Sequence, residues 1–96
     1  MLGLVRRSGA LLIGQKACEE AILGNRAKLL ILANDAGHST KRNFLHLAEK
    51  FAIDVMLYPD KKSLGTLVGY KEAAIIAVTD VNWSERLKKS LNSGGE

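Results

Sequence analysis

An unbroken apolar run, Leu29–Ala33, constrains the fold of this chain more than any other stretch. It lies between two segments of helical periodicity and ends at the turn-forming residues 34–37. A short run bounded in this way is typical of a β-strand covered on both faces. A second run, 73–78, has the same character and ends at Thr79-Asp80. We therefore predict an α/β sandwich with residues 29–33 as its central strand.

The other elements are predicted from apolar periodicity and from residues that start or end helices. The most regular helix has a predicted buried face of Phe44, Leu47, Ala48 and Phe51. Ser39 or Thr40 is expected to cap this helix, and Asp60 to cap the next one. The sequence also predicts strands at 11–13 and 54–58, and helices at 2–7, 15–23, 39–50, 60–67 and 82–91.

The composition indicates one domain. The chain has 96 residues, and we expect the domain to span 1–91, followed by a disordered tail at 92–96. Cys18 is the only cysteine, which excludes an internal disulfide and a cysteine zinc site. No apolar run is long enough to span a membrane, and we expect a cytoplasmic protein. The formal net charge of +4 is compatible with a polyanionic partner, although many soluble proteins share it.

Few residues are placed for catalysis. Asp35 and Asp80 follow the two apolar runs, and one hypothesis pairs their carboxylates in a catalytic or metal-binding site. The alternative, that both aspartates cap turns and helix starts, is favoured. His38 and His46 have no partner at metal-ligand spacing, and Cys18 lies on the apolar face of its helix. We therefore predict no catalytic residue, no metal site and no cofactor.

Five short stretches occur in an order and spacing that resemble a known family. They are GLVRRSG at 3–9, LIG at 12–14, AKLLILANDA at 27–36, LG at 64–65 with Gly69, and AVTD at 77–80. Together they resemble the bacterial YlxQ-type ribosomal-protein-like family. That family belongs to the kink-turn-binding superfamily typified by archaeal large-subunit ribosomal protein seven-Ae. The resemblance covers nearly the whole chain.

The resemblance implies a three-layer α/β/α sandwich with a mixed four-stranded sheet, and non-catalytic binding of structured RNA such as a kink-turn. In the family, RNA lies against the start of the second helix, the loop after the central strand and the loop before the last strand. Those segments are 14–20, 34–37 and 67–71 here. The implied RNA-binding residues are Gly14, Gln15, Lys16, Ala17, Glu20, Asn34, Asp35, Leu67, Val68, Gly69, Tyr70 and Lys71.

The chemistry of these segments suits RNA. The start of a helix presents backbone N–H groups and a positive dipole to phosphates, and Lys16 adds a charge. Gly14 and Gly69 would allow the RNA backbone or an extruded base to come close, although both glycines can equally serve only to terminate elements. Tyr70, beside Gly69, is the aromatic residue best placed to meet a partner.

One segment departs from the family pattern. Strong kink-turn binders carry Gly-x-Asn-Glu-x-x-Lys at the second helix, where Asn, Glu and Lys reach the sheared G·A pairs. Lys16, Ala17 and Glu20 stand at those three positions in this chain. The base-reading side chains are therefore absent, and Glu20 would repel a nearby phosphate.

Two hypotheses remain after this comparison. In the first, a monomer binds ribosomal or messenger RNA through backbone groups, Gln15, Lys16 and other basic side chains, with reduced base specificity. In the second, the fold is kept but kink-turn recognition is lost, and the chain binds a ribosomal, transcription-factor or translation-factor partner. Steep salt dependence of RNA binding distinguishes the first hypothesis from the second.

Overall fold

The computed structural model describes residues 11–80 and Glu85. In chain order the elements are β1 (Leu11–Ile13), α1 (Gln15–Leu23), β2 (Leu29–Ala33), α2 (His38–Lys50), β3 (Asp54–Tyr58), α3 (Lys61–Leu67) and β4 (Ile75–Val78). The predicted helix at 2–7 lies outside the described residues. The predicted helix at 82–91 and the tail also lie outside them, except that Glu85 is helical.

The strands form one mixed four-stranded sheet in the order β1-β4-β2-β3. β3 runs parallel to β2, whereas β4 runs antiparallel to both β1 and β2. Every residue of β2 and of β4 is buried, so the centre of the sheet is covered on both faces. The predicted α/β sandwich with a mixed four-stranded sheet, and the central position of β2, are confirmed.

The buried face of α2 also agrees with the prediction. Phe44 and Ala48 are buried, and Leu47 and Phe51 are partly buried against the same core. Their spacing places all of them on one side of a helix, which is why the sequence pattern was sufficient to find this element. In β4, the strand begins at Ile75, two residues after the start of the apolar run.

The start of α2 differs from the prediction. The helix begins at His38, its cap is Gly37, and no side chain makes a capping hydrogen bond. Ser39 and Thr40 were therefore wrong as caps, because both already lie inside the first turn. The cap predicted for α3 is confirmed, since Asp60 accepts a hydrogen bond from Ser63 N at 2.7 Å.

The hypothesis of an Asp35–Asp80 carboxylate pair is wrong. It assumed that the two apolar strands end on the same side of the sheet, but β2 and β4 are antiparallel. Val78, at the end of β4, pairs with Leu29, at the start of β2. Asp80 consequently follows the sheet at one end, and Asp35 follows it at the other.

Cys18 belongs to the core, as its position on the apolar face of α1 predicted. Its side chain has 0% exposure, and its Sγ lies 3.6 Å from Leu12 O and 3.7 Å from Ile75 O. Burial raises the pKa of the Cys18 thiol to about 12. The thiol therefore stays protonated in the folded chain and is a poor nucleophile there.

This shift predicts a loss of stability at alkaline pH. The unfolded thiol ionises near its ordinary value of 9.0, whereas the folded thiol keeps its proton to about 12. Between these values the unfolded state binds fewer protons, so the thiol lowers the free energy of unfolding by about 1.4 kcal/mol per pH unit. Urea denaturation at several pH values above 8 should show this extra slope in the wild type and not in Cys18→Ala. Equal slopes would contradict the assignment.

Candidate functional site

Three helices begin at the same end of the sheet. β1, β2 and β3 run in one direction, and α1, α2 and α3 follow their carboxyl ends. We call this region the helix-start end: residues 14–17, 34–38 and 59–62, with the segment 73–74 that enters β4. Backbone hydrogen bonds join its parts, from Gly14 N to Ile75 O at 3.2 Å, Ala33 N to Ala74 O at 2.9 Å and Asn34 N to Tyr58 O at 2.7 Å.

The start of α1 is open. Gly14 is its cap, with φ 104 and no side-chain hydrogen bond. The first hydrogen bond of the helix runs from Cys18 N to Gly14 O, at 3.0 Å. The preceding N–H groups of residues 15–17 have no partner within the helix. Gln15 and Lys16 are exposed, and a Cβ built on Gly14 would meet no atom within 4 Å. Among the described residues, an approaching ligand therefore finds backbone donors, a positive charge and no atom close to the Cβ position of Gly14.

The start of α2 is similar and brings further basic side chains. Gly37 caps the helix without a side-chain bond. Lys41 Nζ donates to Asn34 O at 3.0 Å, and Arg42 lies 3.2 Å from His38 Nε2. Lys41 and Arg42 were not among the predicted site residues. The signal that could have identified them is their position one turn into a helix that begins beside Asn34.

The start of α3 is closed by carboxylates. Asp35 Oδ1 accepts from Lys61 N at 2.8 Å, and Asp60 Oδ1 accepts from Ser63 N at 2.7 Å. The hydrogen bond from Ser63 N lowers the pKa of Asp60. Asp35, one of the predicted RNA-binding residues, thus binds the loop after β2 to α3, which agrees with the capping role favoured from the sequence.

The loop 67–71 lies at the far end of α3. Leu67 is 43% and Tyr70 is 46% exposed, while the Val68 side chain is buried. Gly69 has φ 80, which favours glycine. Ala73 N donates a hydrogen bond to Lys61 O at 3.0 Å, which shows that the chain runs back along α3 to the helix-start end. The loop therefore stands about one α3 length, roughly 10 Å, from that end.

Comparison with known proteins identifies the family. Residues 1–88 match the Ribosomal protein L7Ae/L30e/S12e/Gadd45 family. The chain belongs to this family. It is 25% identical over 92 residues to the RNA-binding protein YlxQ of Bacillus subtilis (strain 168), covering 96% of this chain and 92% of the relative. A structure of a protein with unknown function from Bacillus halodurans C matches with a TM-score of 0.87 and 32% identity, over 92% of this chain and 89% of the other. The YlxQ-type resemblance is confirmed.

The three positions at which this chain departs from the Gly-x-Asn-Glu-x-x-Lys pattern lie on α1, close to the helix-start end. Lys16 and Glu20 are exposed and one turn apart, and Ala17 is half-buried. The neighbouring Glu19 accepts a hydrogen bond from Asn43 Nδ2 at 2.9 Å. This bond joins α1 to α2, so the two open helix starts lie side by side.

Metal-ligand clusters and membrane-spanning helices are absent from the residues that the structure describes. Among residues 11–80 and Glu85, no cluster of three His, Cys, Asp or Glu side chains could hold a metal ion. No helix in the described part of the chain is long and apolar enough to cross a membrane. A groove of about 300 Å³ lies at the opposite end of the sheet, lined by Ile22, Asn25, Ala27, Lys28, Phe51, Ala52 and Ile53.

Proposed function

We propose that this chain binds structured RNA, a kink-turn or a related internal loop, without catalysing a reaction. The observation that carries the proposal is the pair of open helix starts, α1 and α2, that lie side by side under glycine caps. The family match and the name of the B. subtilis relative, an RNA-binding protein, support RNA as the ligand. We further propose that the protein acts in the cytoplasm on ribosomal or messenger RNA.

Phosphates are bound at the helix-start end in this proposal. N–H groups that have no partner within their helix, together with the helix dipole, favour a phosphate at each start, and both helices present them to the same surface. The Lys16 ammonium is exposed, and the Lys41 ammonium is already held at Asn34 O, 3.0 Å away. Two phosphate-binding positions at fixed separation select the shape of a folded RNA backbone, because straight and kinked strands space their phosphates differently.

The loop 67–71 contacts bases in this proposal. RNA-binding proteins stack unpaired bases on aromatic side chains, and the exposed Tyr70 ring lies beside Gly69, which has no side chain. Leu67, exposed on the same loop, adds apolar surface. Val68 offers only its backbone, because its side chain is in the core.

Recognition depends more on backbone shape than on base identity. Lys16 and Glu20 replace the Asn and Lys that reach G·A pairs in strong kink-turn binders, and Ala17 replaces the Glu. A lysine binds a phosphate as a point charge and does not discriminate between bases there. We therefore expect a preference for kinked RNA that is smaller than the preference of relatives that keep the family residues.

The role of Lys16 is tested by reversing its charge. Lys16→Glu is expected to weaken binding to a kink-turn RNA about tenfold and to reduce the salt slope by about 1, because one phosphate contact is lost. Lys50→Glu is the matched control, since Lys50 is exposed but ends α2 at the opposite end of the sheet.

Both variants change the net charge equally, so only position distinguishes them. Titrations at about 50 mM and 200 mM salt measure the slope for each protein. Equal weakening by the two variants would show that only net charge matters, and salt-independent binding would contradict the phosphate contacts themselves.

A further inference from the structure

β3 is an edge strand with outward-facing backbone groups. In the part of the chain described, no strand pairs with its outer side. Asn34 N donates to Tyr58 O, so the peptide groups of Tyr58 face β2. Because alternate residues of a parallel strand point these groups to opposite sides, Val55 and Leu57 direct their N–H and C=O groups away from the sheet. The Leu57 side chain is 58% exposed.

The outward donors are confined to a short window. Ile53 is the preceding outward-facing residue, but Ile53 N already donates to Ala48 O at 2.8 Å. Pro59 is the following one, and proline has no N–H. Any strand that pairs with this edge can therefore receive hydrogen bonds only from Val55 and Leu57.

We propose that this window pairs with the same window of a second copy, antiparallel, about a two-fold axis through Met56. Val55 N–H then donates to Leu57 C=O of the partner subunit, and the N–H of the partner's Leu57 donates to Val55 C=O. Two-fold symmetry repeats both bonds at Leu57. Unpaired edge strands are known templates for pairing of this kind.

The register is complementary to itself. Ile53 stands opposite Pro59 of the partner subunit, and neither residue has an N–H left to donate. Asp54, the charged residue of β3, stands opposite Tyr58 of the partner subunit, so no like charges face each other across the strands. The exposed Leu57 side chain packs beside Val55 of the partner subunit.

The dimer is weak and leaves the proposed RNA surface free. Pairing of one short strand buries much less than the roughly 1,600 Å² of a standard stable interface. The antiparallel arrangement points the helix-start ends of the two copies in opposite directions, and of that region only Pro59 lies within the paired register. This inference does not depend on RNA binding. It replaces the monomer expected from the sequence, because the edge position of β3 follows only from the strand order.

Sedimentation of the free protein over a concentration series tests the pairing. The weight-average mass should rise from that of one chain towards that of two. Leu57→Lys should raise the dissociation constant at least tenfold, because a charged side chain replaces the leucine that packs beside Val55 of the partner subunit. The matched control is Leu23→Lys, which changes a similarly exposed leucine, 62%, on α1. A mass that stays monomeric at millimolar protein, or equal effects of the two variants, would overturn the proposal.

A disulfide tests the register separately. Opposite residues of a non-hydrogen-bonded antiparallel pair have Cα atoms about 4.5 Å apart, which a disulfide can bridge. Met56→Cys should therefore form a cross-linked dimer under mild oxidation, much faster than Leu23→Cys. The wild type is the second control, because its thiol at Cys18 is buried. Equal cross-linking rates for Met56→Cys and Leu23→Cys would contradict the register.

Discussion

Gly65→Ala is expected to lower the free energy of unfolding by about 2 to 3 kcal/mol. A Cβ at Gly65 would lie 2.7 Å from both Glu72 N and the Glu72 carbonyl carbon, and closer still to Glu72 Cα. These are backbone atoms, which cannot move aside by a rotamer change, so α3 and the segment 72–74 must separate. Helix propensity alone predicts the opposite sign, because alanine favours a helix by about 1 kcal/mol over glycine. The direction of the change is therefore informative.

Urea denaturation of Gly65→Ala and Gly37→Ala provides the comparison. Gly37 has φ −54, and a Cβ there would meet only Thr40 Oγ1, at 3.8 Å. The same chemical change at this helix cap should cost less than about 1 kcal/mol. Unchanged or increased stability of Gly65→Ala would contradict the close packing of α3. We also expect Gly65→Ala to weaken RNA binding, since it displaces the loop 67–71.

Restoring the family residues is expected to produce the largest change in affinity. The triple variant Lys16→Asn, Ala17→Glu, Glu20→Lys should bind a kink-turn RNA at least about 100-fold more tightly than the wild type. Directed hydrogen bonds to bases contribute about 1 to 3 kcal/mol each in nucleic-acid recognition, and the variant regains several of them. Lys16 and Glu20 are exposed and Ala17 is only half-buried, so the changes require little repacking.

A control separates base reading from charge. Glu20→Lys alone removes a repulsive carboxylate and should strengthen binding to kinked and straight RNA by similar factors. The triple variant should strengthen binding mainly to the kinked RNA. If the triple variant gains no more discrimination than Glu20→Lys, then the start of α1 does not lie against the G·A pairs, and the proposed docking of the RNA is wrong.

The sequence was sufficient to locate most elements and insufficient to orient them. Leu29–Ala33 is apolar throughout because both of its faces are buried, and that pattern distinguishes a covered strand from a half-exposed one. The same pattern carries no direction, since a buried strand has the same composition whether its neighbour is parallel or antiparallel. For this reason the sequence left open a pairing of Asp35 with Asp80, although the two residues follow opposite ends of the sheet.

Local chemistry explains which caps were predictable. Asp60 caps α3 through its own carboxylate, a signal that one residue carries. α2 begins at His38 behind the cap Gly37, which makes no side-chain bond, so the hydroxyls of Ser39 and Thr40 indicated a cap a few residues too late. The start of α1 also lies behind a glycine, but it was predicted correctly at Gln15. These two glycine-capped starts are the ones proposed to bind phosphate.

The candidate site was predictable only in part. The resemblance placed Gly14 and Lys16 at the start of α1. In the structure Gly14 is bonded to the start of β4, and the residue before β4 is bonded to Ala33, which precedes Asn34. The resemblance could not show that Lys41 Nζ donates to Asn34 O, because that contact depends on how the loop 34–37 leads into α2. Nor could the resemblance show that Leu67 is exposed beside the buried Val68.

The most direct test of the proposed function is a titration of the wild-type protein against two RNAs at two salt concentrations. One RNA contains a kink-turn, and the other has its G·A pairs replaced by Watson–Crick pairs. We predict tighter binding of the kinked RNA, by about tenfold, with affinity for both falling steeply as salt rises. Equal affinity for the two RNAs, or no binding to either, would contradict the claim that the helix-start end recognises the shape of a folded RNA.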